Sequence, residues 1–392
     1  MAVPDSNHFP PVCLHPVANR QNGWVALLVE PARESAAHTL APEALGALFG
    51  SADLLAAIAP LDCVLRVASP GVLSPNLLAL LPASRVVLAF DAAALAEDGA
   101  YKGLAALHDS GYRLMLDGAL APDTLRPAAA RAVALDCRDA APPPASLLSA
   151  FGPHLARRVD SAQRLAECAR AGFDWFSGAY PFDTADGQGQ DGPSRRRILG
   201  LLALLARDAD SRELESLLRQ DPVLSFHLLR LVNSAAFALN TPITGFVQAI
   251  AVLGRRQLQR WLQLLLYAGG AADGPPNLLL PLAALRASQL ETLCKAQGGE
   301  RDEQDLAFMT GAFSLLDRLL GMPMAEIVAD LRLPAHVEAA LLERGGTPGS
   351  LLRMAEQGAD AAGLRAAGID GATWWSSVLH AHHWAIQVAR NV

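Results

Sequence analysis

Hydrophobic positions change their spacing near residue 190. Before that point, short apolar runs recur: Val25–Val29, Cys63–Val67, Val86–Phe90, Arg113–Leu116 and Ala132–Leu135. Weaker runs fall near Leu155–Val159 and Phe173–Phe176. Between them lie Ala- and Leu-rich stretches with helical spacing, such as Ala44–Ile58 and Leu104–His108. Near-continuous apolar strands separated by helices predict a parallel sheet covered on both faces. About seven strands at this spacing predict a TIM-type (β/α) barrel, with a doubly wound open sheet as the alternative. No Gly-rich phosphate loop follows the first strand, which speaks against a dinucleotide site.

After residue 194 the spacing is helical throughout. It predicts helices over 196–207, 211–219, 222–237, 245–253, 255–267, 281–296, 303–320, 324–330, 335–343, 350–357 and 375–390. Asp210 and Glu213 read as a capping box for the second of these. Residues 181–194, PFDTADGQGQDGPS, hold Gly, Asp and Gln with Pro at each end and no Val, Leu, Ile or Met, the composition of a linker. The predicted organisation is a barrel over 1–180, a linker over 181–194 and an all-helical domain over 195–392. A length of 392 residues suits two such domains.

Composition narrows the function classes. Charged residues make up 18% and the formal net charge is −7, which argues against a general nucleic-acid binder. Residues 1–190 carry 13 Lys and Arg against 19 Asp and Glu, and the rest carry 19 against 20, so the acidity lies in the first half. The five cysteines, Cys13, Cys63, Cys137, Cys168 and Cys294, form no CxxC pair; the expectation is buried thiols in a reducing compartment. No basic segment followed by an apolar run opens the chain, and no apolar run reaches the roughly 20 residues of a membrane helix. The expectation is a cytoplasmic protein with no membrane contact and no metal or other cofactor.

The most informative stretch is 221–254, DPVLSFHLLRLVNSAAFALNTPITGFVQAIAVLG. Asp221 and Pro222 read as an N-cap and first helical position. The apolar run that follows suits a buried helix, broken by Asn233, Ser234, Asn240 and Pro242. Thr244 then caps a second helix that Gly254 ends. The order DPxL, LxLxNSAxF, Pro and QAIxxLG resembles the core signature of the HDOD domain. That all-helical output module is related to HD phosphohydrolases but lacks their metal ligands. The resemblance makes Asp221, Pro222, Asn233, Ser234 and Gly254 signature positions and implies a regulator rather than a catalyst.

The first half resembles the EAL domain, the barrel that hydrolyses cyclic di-GMP. Four stretches carry the likeness: GWVALL (23–28), GYRLMLD (111–117), HLARRVD (154–160) and GFDWFSGAYPF (172–182). An EAL phosphodiesterase resembles a two-metal hydrolase, in which carboxylates and an Asn hold divalent ions that activate a water. On this resemblance the Glu of the first strand falls at Val25 and the Asn of the second near Arg66 or Val67. The Glu after the third strand falls at Ala89. Asp117 keeps the first Asp of a pair whose second is Gly118. The Lys falls near Ala134, the Glu of the next strand at Arg157 and the terminal Gln at Ser177. One carboxylate does not replace the set, and Arg157 repels a metal. The resemblance thus implies a degenerate EAL-like barrel without catalysis. Arg66, Asp117 and Arg157 remain as a remnant pocket in which the arginines would pair with phosphates.

In the helical half, histidines are poor candidates for metal ligands. The one His-Asp dipeptide, His108–Asp109, ends a helix in the barrel, where His suits the dipole. His227 reads as a core residue. Of His380, His382 and His383, only His380 and His383 share a helix face. Arg255, Arg256 and Arg260 beside Trp261 read either as a solvated face or as a docking patch for an acidic partner with Trp261 as anchor. No nucleophile elbow is present.

The combined expectation is a non-catalytic bacterial-type signal-transduction regulator, in or near cyclic di-GMP signalling, acting through contacts with other signalling proteins. The alternatives are a cyclic di-GMP receptor that binds without hydrolysis and a residual phosphodiesterase. The sequence leaves a homodimer open.

Overall fold

The computed structural model describes residues 12–31, 38–50, 53–96, 99–118, 127–139, 152–183, 246–268, 276–331 and 333–391, with isolated positions between 200 and 216. The chain divides into two compact units, Met1–Asp183 and Thr184–Val392.

The first unit is a closed eight-stranded barrel in the order β1 to β8. Its strands are β1 (Val12–Asn19), β2 (Trp24–Pro31), β3 (Asp62–Val67), β4 (Val86–Asp91), β5 (Arg113–Asp117), β6 (Ala132–Asp136), β7 (Leu155–Arg157) and β8 (Trp175–Phe176). Strands β2 to β8 run parallel in sequence, while β1 is antiparallel to both of its neighbours, β2 and β8. The barrel expectation holds and the open sheet is excluded. The sequence pattern omits β1, because Pro16 and His15 interrupt its apolar run. The structure tolerates Pro16 because β1 pairs with β8 only at Ala18 and Asn19, so a lost donor at Pro16 breaks no ladder on that side.

Helices α1 (Pro42–Phe49), α2 (Asp53–Ala57), α3 (Pro75–Leu78), α4 (Ala100–Asp109) and α5 (Ala162–Arg170) lie between the strands. Local signals set their ends: Ser74 and Ser161 accept from the backbone N–H groups of Leu77 and Arg164, three residues on. His108 and Asp109 close α4, as the sequence predicts.

Alternate residues fill the barrel. Ala26, Leu28, Val64, Val87, Ala89, Met115, Ala132, Ala134, Leu155 and Trp175 form one buried cluster. Two-residue periodicity carries the same face to the strand ends, where the side chains become polar. Residues 181–183 belong to the barrel rather than to a linker. A 3-10 turn spans Tyr180–Phe182, Tyr180 is buried, and Asp183 accepts the N–H of Ala162 at 2.7 Å. The rest of 184–194 lies outside the described residues.

The second unit is helical where it is described. Its helices are α6 (Phe246–Leu265), α7 (Leu279–Ala296), α8 (Arg301–Phe313), α9 (Leu316–Leu320), α10 (Met324–Leu331), α11 (Ala335–Glu343), α12 (Gly346–Gln357), α13 (Ala361–Ala367) and α14 (Gly371–Asn391). Gly254 interrupts α6 with φ 72° and ψ 159°, so the expected pair of helices meets at this glycine. The single helix expected over 303–320 is divided between α8 and α9, and α13 is an addition. Asp210 accepts the N–H of Glu213 at 3.2 Å, one half of the expected capping box. Helix α7 packs against both α8 and α14, and its buried residues include Leu279, Leu280, Ala283, Ala284, Ala287, Leu290 and Leu293.

Candidate functional site: the barrel mouth

At the carboxyl ends of the parallel strands, four charged side chains close a ring of alternating sign. Asp117, at the end of β5, accepts from Arg66 Nε through Oδ2 and from Arg157 Nη2 through Oδ1, each at 2.5 Å. Glu30, near the end of β2, accepts on Oε1 from Arg66 Nη1 at 3.0 Å and from Arg157 Nη1 at 3.4 Å. Side-chain exposure is 4% for Asp117, 6% for Arg157, 11% for Arg66 and 14% for Glu30. His15 Nε2 stands 3.6 Å from the outer oxygen of Glu30.

Register explains how strands that are not neighbours can meet here. Arg66 on β3 lies beside Ala89 on β4, and Asp117 on β5 lies beside Ala134 on β6. Both alanines face the barrel interior and are buried. Their methyl groups leave room for Arg66 to reach Asp117 across β4, and for Asp117 to reach Arg157 across β6.

The sequence reading therefore places Arg66, Asp117 and Arg157 together, and the structure joins them by direct hydrogen bonds. It missed Glu30. Val25 sits at the start of β2, whereas the carboxylate at the mouth of that strand is Glu30. The signal was the alternation Ala26, Leu28, Glu30, which puts all three on one face; reading the strand as ending at Val29 hid it. Ala89, Ala134 and the buried Ser177 mark the inner face of β4, β6 and the end of β8.

Chemically, the ring is neutral in sum, and each carboxylate already has two guanidinium partners. Charge-assisted bonds of this length are strong, and burial raises the cost of breaking any one of them. One donor is left over: Arg157 Nε is buried and has no hydrogen-bond partner. Among the described residues, no group of three or more His, Cys, Asp or Glu is placed to hold a metal ion. A cavity of about 340 Å³ opens at the opposite end of the barrel, against Val87, Tyr112, Met115, Ala132 and Trp175. Among the described residues, no carboxylate lines it.

The basic strip of the helical unit is largely spent internally, which corrects the docking-patch reading. Arg256 Nε donates to Asp305 at 2.6 Å. Arg260 donates to Asp305 at 2.8 Å and to Glu291 at 2.5 Å, and its guanidinium lies 5.0 Å over the Phe308 ring. Trp261 is buried, with its ring 5.7 Å from that of Trp384, so it is core rather than an exposed anchor. Arg255 is half-buried on the same helix. The acidic residues that neutralise the strip lie 31 to 49 positions away in the chain, too far for helix spacing to reveal. His380 and His383 are exposed on α14. Asp221, Pro222, Asn233, Ser234 and His227 lie outside the described residues; Gly254 is described and makes the break in α6.

Residues 196–293 match the family model of the HDOD domain. The chain contains an HDOD domain. Helix α6 and most of α7 fall inside that HDOD region, and α8 to α14 extend beyond it.

Among curated proteins, the chain is 31% identical over 205 residues to the cyclic di-GMP phosphodiesterase CdgJ of Vibrio cholerae. The match covers 52% of this chain and 47% of that protein. It is 27% identical over 192 residues to an uncharacterized protein, YuxH, of Bacillus subtilis, covering 48% and 46%. The chain thus spans about half the length of the curated relatives it matches. Among solved structures, it is similar to Klebsiella pneumoniae BlrP1 in complex with calcium and cyclic di-GMP. Identity there is 16%, coverage is 45% of this chain and 56% of that one, and the TM-score is 0.33. It is also similar to the EAL enzyme Bd1971 bound to cAMP and cyclic di-GMP, at 10% identity, 44% and 61% coverage and a TM-score of 0.32. No described helix is long and apolar enough to cross a membrane.

Proposed function

We propose that this chain is a non-catalytic signal-transduction regulator, in or near cyclic di-GMP signalling, acting through contacts with other signalling proteins. The observation that carries the proposal is the ring at the barrel mouth. A two-metal phosphodiesterase needs open oxygen ligands for hard cations. Here the two carboxylates of the ring, Glu30 and Asp117, are each engaged by Arg66 and Arg157. A divalent ion entering this site would have to displace two buried guanidinium groups and sit beside their charge. The donor set does not fit such an ion pair, and no hydrolytic step is assigned to it. The HDOD region, and the likeness of about half the chain to a protein named as a cyclic di-GMP phosphodiesterase, support the pathway rather than the chemistry.

A second reading, a receptor that binds cyclic di-GMP without cutting it, is favoured by one observation. Arg157 Nε is a buried donor with no acceptor, and a phosphate oxygen at the mouth would satisfy it.

One experiment tests both. The full chain is titrated with cyclic di-GMP in the presence of Mg²⁺ or Mn²⁺, and the nucleotide is then analysed by chromatography. The proposal expects the nucleotide to be recovered intact, and conversion to a linear or mononucleotide product overturns it. Saturable heat that disappears in Arg157→Ala, with intact nucleotide, establishes the receptor reading.

A further inference from the structure

The cavity at the end of the barrel opposite the ring is apolar within and basic at its rim. Val87, Met115, Ala132 and Trp175 line it and belong to the same buried cluster as the two alanines beside the ring. Ala132 is the smallest of the four. It stands beside Met115 in the register of β5 and β6, where a longer side chain would fill the space. His108, Arg113 and Arg131 also line the cavity. Arg113 lies two positions before Met115 on β5, so the alternation of the strand carries one face outward from apolar to cationic. Its Nη1 donates to Asp62 at 2.7 Å and its Nη2 to the Ser84 carbonyl at 3.5 Å. A guanidinium has five N–H donors, so these two bonds do not exhaust it. Arg131 Nε donates to the Ala128 carbonyl at 3.0 Å. Trp175 is 9% exposed. Among the described residues its indole N–H has no acceptor, although a buried indole usually finds one.

We propose that this cavity binds a small carboxylic acid with an apolar body. Its volume of about 340 Å³ lies near the lower end of the roughly 300–1,000 Å³ of small-molecule sites, which suits a medium-chain acid rather than a dinucleotide. The apolar body replaces water against Val87, Met115 and Ala132, and the gain follows the apolar area it covers. The carboxylate brings acceptor oxygens to the arginine rim and to the indole N–H, and bonds of an ionised acceptor are the stronger kind. A neutral alcohol of the same chain makes the first gain without the second. The site shares no residue with the charged ring, so the inference stands whether or not the mouth binds a nucleotide.

The test is calorimetric titration of the full chain with sodium octanoate and, separately, with octanol. Octanoate should bind saturably and at least about tenfold more tightly than octanol, the weight of one charge-assisted hydrogen bond. Arg131→Gln should remove most of that preference and leave the affinity for octanol unchanged. Trp175→Phe keeps an aromatic ring and loses the N–H, and should weaken octanoate by about 2–10-fold. Ala132→Leu should abolish binding of both by occupying the cavity, with thermal unfolding to show that this variant is folded. Should it not fold, Arg131→Gln and Trp175→Phe still decide. Absence of saturable octanoate binding overturns the proposal, as does equal affinity for acid and alcohol. So does octanoate binding that persists in folded Ala132→Leu, or that is unchanged in Arg131→Gln and Trp175→Phe alike.

Discussion

Asp117 bonds two guanidinium groups where water is nearly excluded, and removing its charge leaves both without their shortest partner. Asp117→Asn should destabilise the barrel unit by about 3–5 kcal/mol, the cost of breaking a buried pair from one side. The denaturant midpoint reads the effect directly. Asp136 provides the contrast. It pairs with Arg158 at 2.9 Å, but both side chains are about two-fifths exposed, and Asp136→Asn should cost under about 1 kcal/mol. Equal losses in the two variants would mean that the ring contributes no more than a surface pair. A second residue-scale consequence concerns pH. Burial pushes the Cys63 thiol from 9.0 to about 12, against a smaller opposing effect of Arg85. The folded value lies above the unfolded one, so the contribution is complete below about pH 9. It is lost as pH rises toward 12, on the order of 4 kcal/mol across the window. In Cys63→Ala, stability should fall less steeply between pH 9 and 12; parallel slopes would contradict the burial argument. Arg66, Asp117 and Arg157 were legible because strand order and period fix which residues reach the mouth. Glu30 was not, because its strand runs one turn of the alternation further than its last apolar residue.

Helix packing depends on close approaches that a sequence barely signals. Gly311 lies where α8 crosses α7, and a methyl group there would come within 2.5 Å of the Ala287 backbone nitrogen. Gly311→Ala should therefore push the helices apart and cost about 1–3 kcal/mol, where a helix propensity scale alone predicts a gain. Thermal unfolding of the variant decides the sign. Gly254 has the opposite character: its surroundings are open, and its positive φ is what demands glycine. That break was readable, since a glycine closing an apolar helical run is a stop signal. Strand β1 was not, because a proline inside a short run reads as a terminator until the partner strand is known. The arginine strip fails for the same reason: Asp305 and Glu291 become its neighbours only once α6, α7 and α8 have packed.

Across the whole barrel, closure is uneven. Strand β1 meets β2 over most of its length but meets β8 at two residue pairs, Ala18 with Phe176 and Asn19 with Trp175. Strand β8 in turn meets β7 at two pairs, Leu155 with Trp175 and Ala156 with Phe176. The wall is therefore a long ribbon fastened by a two-residue clasp. Local opening takes the path with the fewest backbone bonds to break, whatever the burial of its side chains. Deuterium should enter the amides of 173–177 sooner than those of 86–90, although both segments are buried, and equal protection would rule the clasp out. Of the charged ring, Glu30, Arg66 and Asp117 sit on β2, β3 and β5, away from the fastening, while Arg157 directly follows the β7 residues that pair with β8. Mechanical load on the wall is then released at β8 first, and Arg157 is the ring member nearest to where the wall gives.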